Sequence, residues 1–125
     1  MSFAHAHALA WIDHQNAKIL QFDAQDVEAR KLRVHTHPTR QHGSGVRSEH
    51  EYFAAICDSL APIGEVLVTG PRTAQSDFQH YVSKHRPALL PQIVGWEVAD
   101  PASDAELVAR GRRYFDKRAR MAGTP

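Results

Sequence analysis

The chain has 125 residues, of which 42% are hydrophobic and 23% charged, and its formal net charge is +1 with the nine histidines counted as neutral. This length and composition are typical of one globular domain, and a charge so near zero excludes a positive field over the whole surface, so any basic surface must be local. An internal disulfide is excluded because Cys57 is the only cysteine, and no apolar run reaches the length of a membrane span.

The first part of the chain predicts three antiparallel strands. Residues 8–13 and 17–22 are strand-like and flank the turn signal His14-Gln-Asn16, so they predict a hairpin. Residues 28–35 alternate apolar and polar side chains imperfectly and predict a third strand with one solvated face. The next stretch, residues 36–48, is basic, contains histidine and glycine, and has no apolar period. It predicts a long loop, and such loops in small domains are usually functional or disordered.

The rest of the chain alternates helices and strands. A first helix should begin near Ser48, its expected N-cap, and end at Pro62 and Gly64. The elements expected after it are a buried strand over 65–69, a helix capped by Thr73 or Ser76, a strand over 93–98, and a last helix that opens on the capping box Ser103-Asp-Ala-Glu106. Helices joining the later strands imply parallel pairing. The order β-β-β-α-β-α-β-α therefore predicts an α/β fold with a mixed sheet of about five strands.

We expect these elements to form a single domain over residues 1–125. Its core should span about 8–116, with a frayed basic tail over 118–125. The amino terminus lacks the basic start and apolar core of a signal peptide, so we expect a cytoplasmic protein with no membrane association. Cys57 lies among apolar residues of the first helix and should be buried and inert.

Two kinds of residue raise the possibility of metal chemistry. His5-Ala-His7 and His35-Thr-His37 each place two imidazoles on one face of an extended segment, and imidazole binds zinc, nickel and copper. A meander should put the two pairs at opposite edges of the sheet, so we expect solvated histidines, no metal site and no cofactor. Asp13 and Glu65 resemble the acids on central strands of RNase H-like nucleases, which leaves a nuclease as an alternative.

Two basic features could contact RNA. Gly70-Pro-Arg-Thr-Ala74 is a glycine turn before a helix; we interpret it as structural, with Arg72 available to a phosphate. The last helix has a run of cations, which predicts either a solvated basic face or a nucleic-acid contact. These cations are Arg110, Arg112, Arg113, Lys117, Arg118 and Arg120.

Three stretches resemble parts of a known family. Trp11-Ile-Asp-His-Gln-Asn-Ala-Lys-Ile-Leu20 resembles its opening hairpin, and Val66-Leu-Val-Thr-Gly-Pro71 followed by Ala74-Gln-Ser-Asp-Phe78 resembles its strand, glycine turn and helix. Gln41-His-Gly-Ser-Gly-Val-Arg-Ser48 resembles the release-factor loop Lys-His-Gly-Arg-Gly-Gly-Gln-Ser. The family is the central domain of archaeal and eukaryotic peptide-chain release factors and of Pelota. The chain is most similar to the short bacterial translational machinery proteins, and the resemblance spans roughly residues 8–116.

The loop departs from the release-factor pattern where the chemistry lies. In release factors the Gly-Gly-Gln loop enters the ribosomal peptidyl-transferase centre and helps place the water that attacks the ester of peptidyl-tRNA. Here Val46 stands at the second glycine and Arg47 at the glutamine. A β-branched residue resists the positive-φ backbone that glycine permits, and arginine cannot imitate an amide. The residues that match the loop are His42, Gly43, Gly45 and Ser48.

The resemblance therefore implies a non-catalytic module, as in Pelota, which also lacks the Gly-Gly-Gln motif. Its expected partner is the ribosome or structured RNA, in a setting of translation termination or rescue. The residues expected to contact RNA are Arg40, His42, Gly43, Gly45, Arg47 and Arg72. The alternatives are a peptidyl-tRNA esterase, a nuclease, and a homo-oligomeric domain that pairs through an exposed edge strand near residues 28–35.

Overall fold

The computed structural model describes residues 7–23, 25–33 and 44–122, with the backbone alone at 44–47 and 122. Five strands and three α-helices follow one another in the predicted order, with a 3-10 helix over Pro87–Gln92. The strands are β1 His7–Ile12, β2 Asn16–Phe22, β3 Val27–Arg33, β4 Glu65–Gly70 and β5 Ile93–Val98. The helices are α1 Ser44–Leu60, α2 Arg72–His85 and α3 Asp104–Ala122. The predicted fold class, α/β with a mixed five-stranded sheet, is confirmed.

The sheet has the strand order β3-β2-β1-β4-β5. β2 pairs antiparallel with both β1 and β3, while β1 pairs in parallel with β4 and β4 with β5. β1 is thus the central strand, so the expectation that the two histidine pairs lie at opposite edges of the sheet is wrong. Among the described residues, His7 lies opposite Phe22 whereas Arg33, at the end of β3, lies opposite Asn16, so these two positions are separated by the length of β2. His5, His35 and His37 lie outside the described residues.

Helices cover both faces of the sheet. On β1, Ala8, Ala10 and Ile12 pack in one cluster with α1 and α2, while Leu9 and Trp11 pack in a second cluster with α3. Successive strand residues point to opposite faces, so a strand covered on both sides must be apolar throughout. This explains the unbroken apolar run that identified β4 as a buried strand, and Val66, Leu67 and Val68 are indeed fully buried.

The start of α1 and the end of α3 differ from the predicted ones. α1 begins at Ser44, so Ser48 lies inside the helix and is buried rather than acting as its N-cap, and the predicted loop over 36–48 is helical from residue 44. Each added residue gains one backbone hydrogen bond, and Gly45 opposes this by only about 1 kcal/mol. α3 likewise continues to Ala122, because no proline or glycine lies between Lys117 and Ala122, so the tail is helical over 118–122.

The two remaining cap predictions had opposite outcomes. The capping box of α3 is confirmed: the Glu106 N–H donates to Ser103 Oγ (3.1 Å) and the Ser103 N–H donates to Glu106 Oε1 (3.0 Å). The expected cap of α2 by Thr73 or Ser76 is wrong. Pro71 occupies the N-cap and no side chain caps the helix, because the chain turns straight from Gly70 into α2 and leaves both hydroxyls inside the helix.

Candidate nucleic-acid interface

One edge of the sheet gathers most of the residues expected to contact RNA. The parallel strands β1, β4 and β5 end there, at Ile12, Gly70 and Val98, and we call it the carboxyl edge. β3 also ends there, because Arg33 lies opposite the first residue of β2. Residues outside strands at such an edge are the usual location of binding sites in α/β folds.

The start of α1 lies over the same edge. The hydroxyl of Tyr52, in the middle of the helix, donates a hydrogen bond of 2.9 Å to the backbone carbonyl of Asp13, just beyond the end of β1. The far end of α1 lies near the start of β4, where the side-chain amide of Gln92 bonds the carbonyls of Ala61 and Ile63. The helix thus runs toward the opposite edge from its start. Arg33, the last described residue of β3, and the amino-terminal half of α1 thus both lie toward the carboxyl edge.

The expected RNA-contacting residues fall into three groups. Arg40, His42 and Gly43 lie outside the described residues. Gly45 and Arg47 are in the first turn of α1. Arg72 is exposed as the first residue of α2, directly after the end of β4. The structure thus brings Arg72 and the first turn of α1 to the carboxyl edge.

The first turn of α2 can accept an anion. Its first intrahelical bond runs from the Gln75 N–H to the Pro71 carbonyl (3.0 Å), and no side chain caps the N–H groups that precede Gln75. Those donors and the positive end of the helix dipole favour a phosphate oxygen. The turn is held in place by the Gln75 side-chain amide, which donates to the carbonyls of Gly70 and Glu97. Arg72 adds a full charge beside it.

Two further cations at this edge were not predicted. Lys31 and Arg33 are exposed at the end of β3, on the face that carries Lys18 on β2, and a cavity of about 290 Å³ lies beside them. Lys18 is neutralised by Asp104, at 2.9 Å, and this hydrogen bond and the charges of Lys18 and Lys31 lower the pKa of the Asp104 carboxyl. The sequence did contain a signal: the run Arg30-Lys-Leu-Arg33 directly precedes the loop.

The two acids considered for a nuclease are far apart. Glu65 lies opposite His7 in the parallel pairing of β4 with β1, so Asp13 is six residues further along, or about 20 Å. Each acid also has a local role. Asp13 accepts the N–H groups of Gln15 (2.8 Å) and Asn16 (2.6 Å) in the hairpin turn, and Glu65 pairs with His7 and Arg118. The Asp13–Glu65 nuclease site is therefore wrong.

Titratable groups elsewhere have structural environments. Burial raises the pKa of the Cys57 thiol to about 11, against a smaller lowering by Arg86, so the thiol stays protonated as expected. His14 pairs with Asp77 (3.2 Å) and His50 lies beside His85. Within 7–23, 25–33 and 44–122 no three His, Cys, Asp or Glu side chains are arranged to hold a metal ion. No helix in these ranges is long and apolar enough to cross a membrane.

Comparisons with known proteins place the fold. No protein-family model matches the chain, and no curated protein matches it significantly. Among solved structures it is similar to Pelota from Thermoplasma acidophilum (TM-score 0.59, 16% identity, 88% of this chain and 33% of that one). It is similar to Pelota from Archaeoglobus fulgidus (0.55, 20%, 90% and 31%). It is also similar to the archaeal translation termination factor aRF1 (0.53, 14%, 94% and 39%).

These similarities establish the class of fold. The chain has the α/β fold of one part of Pelota and of the archaeal termination factor, which agrees with the resemblance in its sequence. It spans about a third of the length of the structures it matches. At such low identity the similarity shows the fold alone, and function must be argued from the residues of this chain.

Proposed function

We propose that the chain is a non-catalytic binding module that associates with the ribosome or with structured RNA through its carboxyl edge. The observation that supports this most is the convergence there of Arg72, the first turn of α1 and the cationic end of β3. Guanidinium groups and uncapped helix N–H groups favour phosphate oxygens. Arg40 and His42, which lie outside the described residues, are further residues that we expect to contact RNA.

The setting we propose is translation termination or rescue in the cytoplasm. It is supported by the fold shared with Pelota and an archaeal translation termination factor. A catalytic role is not proposed, because Val46 and Arg47 replace the glycine and glutamine that organise ester hydrolysis in the resembling loop. Accordingly, we expect no cleavage of a peptidyl-tRNA ester by the purified protein.

Co-sedimentation with ribosomes tests the proposal. The wild-type chain should pellet with ribosomes at low salt and dissociate as salt rises, because phosphate contacts release counterions. Arg72→Ala, and Arg40→Ala combined with Arg47→Ala, should each weaken binding by about tenfold. Lys84→Ala is the matched control, because Lys84 is an exposed cation in the last turn of α2, at the opposite end from Arg72. Absence of binding at low salt, or equal binding by all variants, would contradict the proposal.

The cations of β3 weigh against the homodimer alternative. β3 is an edge strand, as expected, and nearly all of it is exposed. It carries Arg30, Lys31 and Arg33, and charged side chains on an edge strand oppose pairing with a second copy. Light scattering at rising protein concentration should therefore give the mass of a monomer.

A further inference from the structure

A second basic surface lies on the face of the sheet that α3 covers, in a groove of about 700 Å³ beside α3 and the edge strand β5. Its cations recur on α3 three or four residues apart, so they share one face of the helix. We call it the α3 groove, and the residues that define it are Arg110, Arg113, Tyr114, Lys117, Arg118 and Glu97.

The α3 groove carries an excess of positive charge that the protein leaves unpaired. Arg110 is paired with Glu97 (3.2 Å) and Arg118 with Glu65 (3.5 Å). Arg113 and Lys117 are both exposed, and neither has an ion pair or hydrogen bond within the part of the chain that the structure describes. An anionic ligand would therefore meet two free cations without first breaking an internal ion pair.

The shape of this surface suits a chain of repeated charges better than a single ion. Arg110 and Lys117 are seven residues apart, so the cationic stripe extends over about 10 Å of helix. Between them the ring of Tyr114 lines the groove, and its hydroxyl is held by the Val94 carbonyl (3.1 Å). Cations beside a fixed aromatic ring are the combination that single-stranded nucleic acid uses, with phosphates on the cations and a base stacked on the ring.

The α3 groove reaches from near the carboxyl edge to the opposite edge of the sheet, because Arg110 pairs with Glu97, the next-to-last residue of β5, and Arg118 pairs with Glu65, the first residue of β4. α3 begins near the carboxyl edge, where Asp104 bonds Lys18, and runs back until Arg118 reaches Glu65, the first residue of β4. A single RNA strand that bound both the α3 groove and the carboxyl edge would gain affinity because the second contact becomes intramolecular.

We infer that the α3 groove binds the phosphate backbone of single-stranded RNA without sequence preference. This rests on the proposed RNA-associated function and adds a second, independent contact to it. Arg113 and Lys117 would take the phosphates, and Tyr114 would stack on a base. An acidic protein segment is the competing occupant, since carboxylates also pair with arginine.

Fluorescence anisotropy with a labelled mixed-sequence RNA of about 12 nucleotides tests the inference, over about 50 to 200 mM KCl. Arg113→Gln combined with Lys117→Gln should weaken binding by about tenfold and reduce the slope of log K against log salt by about 1.4, because each lost phosphate contact removes about 0.7. Both residues are exposed and unpaired, so the melting temperature should not change. Lys117→Gln by itself should also weaken RNA binding, whereas Lys84→Gln, which removes an equal charge from α2, should leave RNA binding unchanged.

The outcomes separate this inference from the proposed function. If the double variant binds the RNA like wild type with an unchanged salt slope, the α3 groove is not an RNA site, even if Arg72→Ala abolishes ribosome binding. If the double variant binds the RNA more weakly while the carboxyl-edge variants still bind ribosomes normally, the RNA site in the α3 groove is supported and the proposed function of the carboxyl edge is contradicted. Competition by polyglutamate as effective as that by unlabelled RNA of equal charge would overturn the assignment to RNA.

Discussion

The hydroxyl of Tyr52 donates a hydrogen bond of 2.9 Å to the main-chain carbonyl of Asp13, and so joins α1 to the end of the central strand. Burial, with the Asp13 charge adding, raises the pKa of Tyr52, so the hydroxyl remains a donor throughout the physiological range. The bond matters for the candidate site because it places the amino-terminal half of α1 over the carboxyl edge.

Tyr52→Phe should therefore reduce the free energy of unfolding by about 1–2 kcal/mol, because it leaves a partly buried carbonyl without its donor. Urea denaturation at neutral pH measures this. Tyr81→Phe is the matched control: Tyr81 packs on the same helix pair, and its hydroxyl has no hydrogen bond to any residue the structure describes. Equal losses from both substitutions would show that the bond to Asp13 contributes nothing.

Gly70 is required by its backbone. Its φ is +139°, and a Cβ there would lie 2.1 Å from the carbonyl oxygen of Ile12. Gly70→Ala should cost more than about 2 kcal/mol of unfolding free energy, because backbone strain and a clash with backbone act together. At Gly95, which does not have a positive φ, the nearest atom to an added Cβ is the hydroxyl of Tyr114, a side-chain atom rather than a backbone atom. Gly95→Ala should therefore lower the melting temperature less, and the opposite ranking would contradict this account.

The pairing of Asp104 with Lys18 should make stability depend on pH. The hydrogen bond from Lys18 holds the pKa of Asp104 below its usual value, so its contribution is complete above the unfolded-state pKa of about 4 and is lost as pH falls through the lower folded-state value. Asp104→Asn should cost about 0.5 kcal/mol at pH 7, since exposed ion pairs contribute little, and nothing in strong acid. Asp100→Asn, at an exposed position with no ion pair or hydrogen bond among the described residues, should lower the urea midpoint at pH 7 less than Asp104→Asn.

Cys57 should report on global unfolding. The thiol is fully buried and its pKa is raised to about 11, so neither access nor ionisation favours reaction near pH 8. A thiol reagent should modify the native protein only as fast as the chain opens, and at once in urea. Because Cys57 is the only cysteine, the signal has no background. Rapid stoichiometric labelling under native conditions would contradict the packing of α1 against the sheet.

Lys31 and Arg33 test the carboxyl edge independently of segment 34–43. Replacing both by Gln should weaken ribosome binding and lower its salt dependence, because two exposed cations beside the site are removed. Arg30→Gln is a suitable control: Arg30 belongs to the same strand, but its guanidinium lies on the other face and bonds Ser59 of α1. Ribosome pelleting that falls equally in both variants would indicate a loss of general charge rather than a local contact.

The sequence was most informative where local chemistry marks an element. The turn at His14-Gln-Asn16, the apolar run of β4 and the box at Ser103 and Glu106 each identified an element in the correct order. The predicted helix starts were wrong at Ser44 and Arg72, and α2 has no side-chain cap that could be recognised. Propensity alone locates such ends poorly, since one more turn of helix changes the free energy little.

The candidate site was harder to predict because it depends on strand direction and register. Asp13 and Glu65 do lie on neighbouring strands, but one acid follows the end of its strand and the other begins its strand. Parallel strands start at the same edge of a sheet, so the start of one strand and the end of its neighbour lie at opposite edges. The separation of the two acids follows from the pairing of β1 with β4, which the sequence alone does not show. The α3 groove could be predicted only in part for a similar reason. The sequence shows its cations, but which of them form ion pairs depends on contacts with Glu65 of β4 and Glu97 of β5.

The attachment of segment 34–43 has an evolutionary consequence. Because β3 ends and α1 begins at the same edge, residues could be inserted or deleted there without shifting any strand pairing. Doubling the length of such a connection costs only about 0.6 kcal/mol of closure entropy. The sheet and helices could therefore carry connections of different sequence, either catalytic or only binding, while the stability of the fold remained almost unaffected.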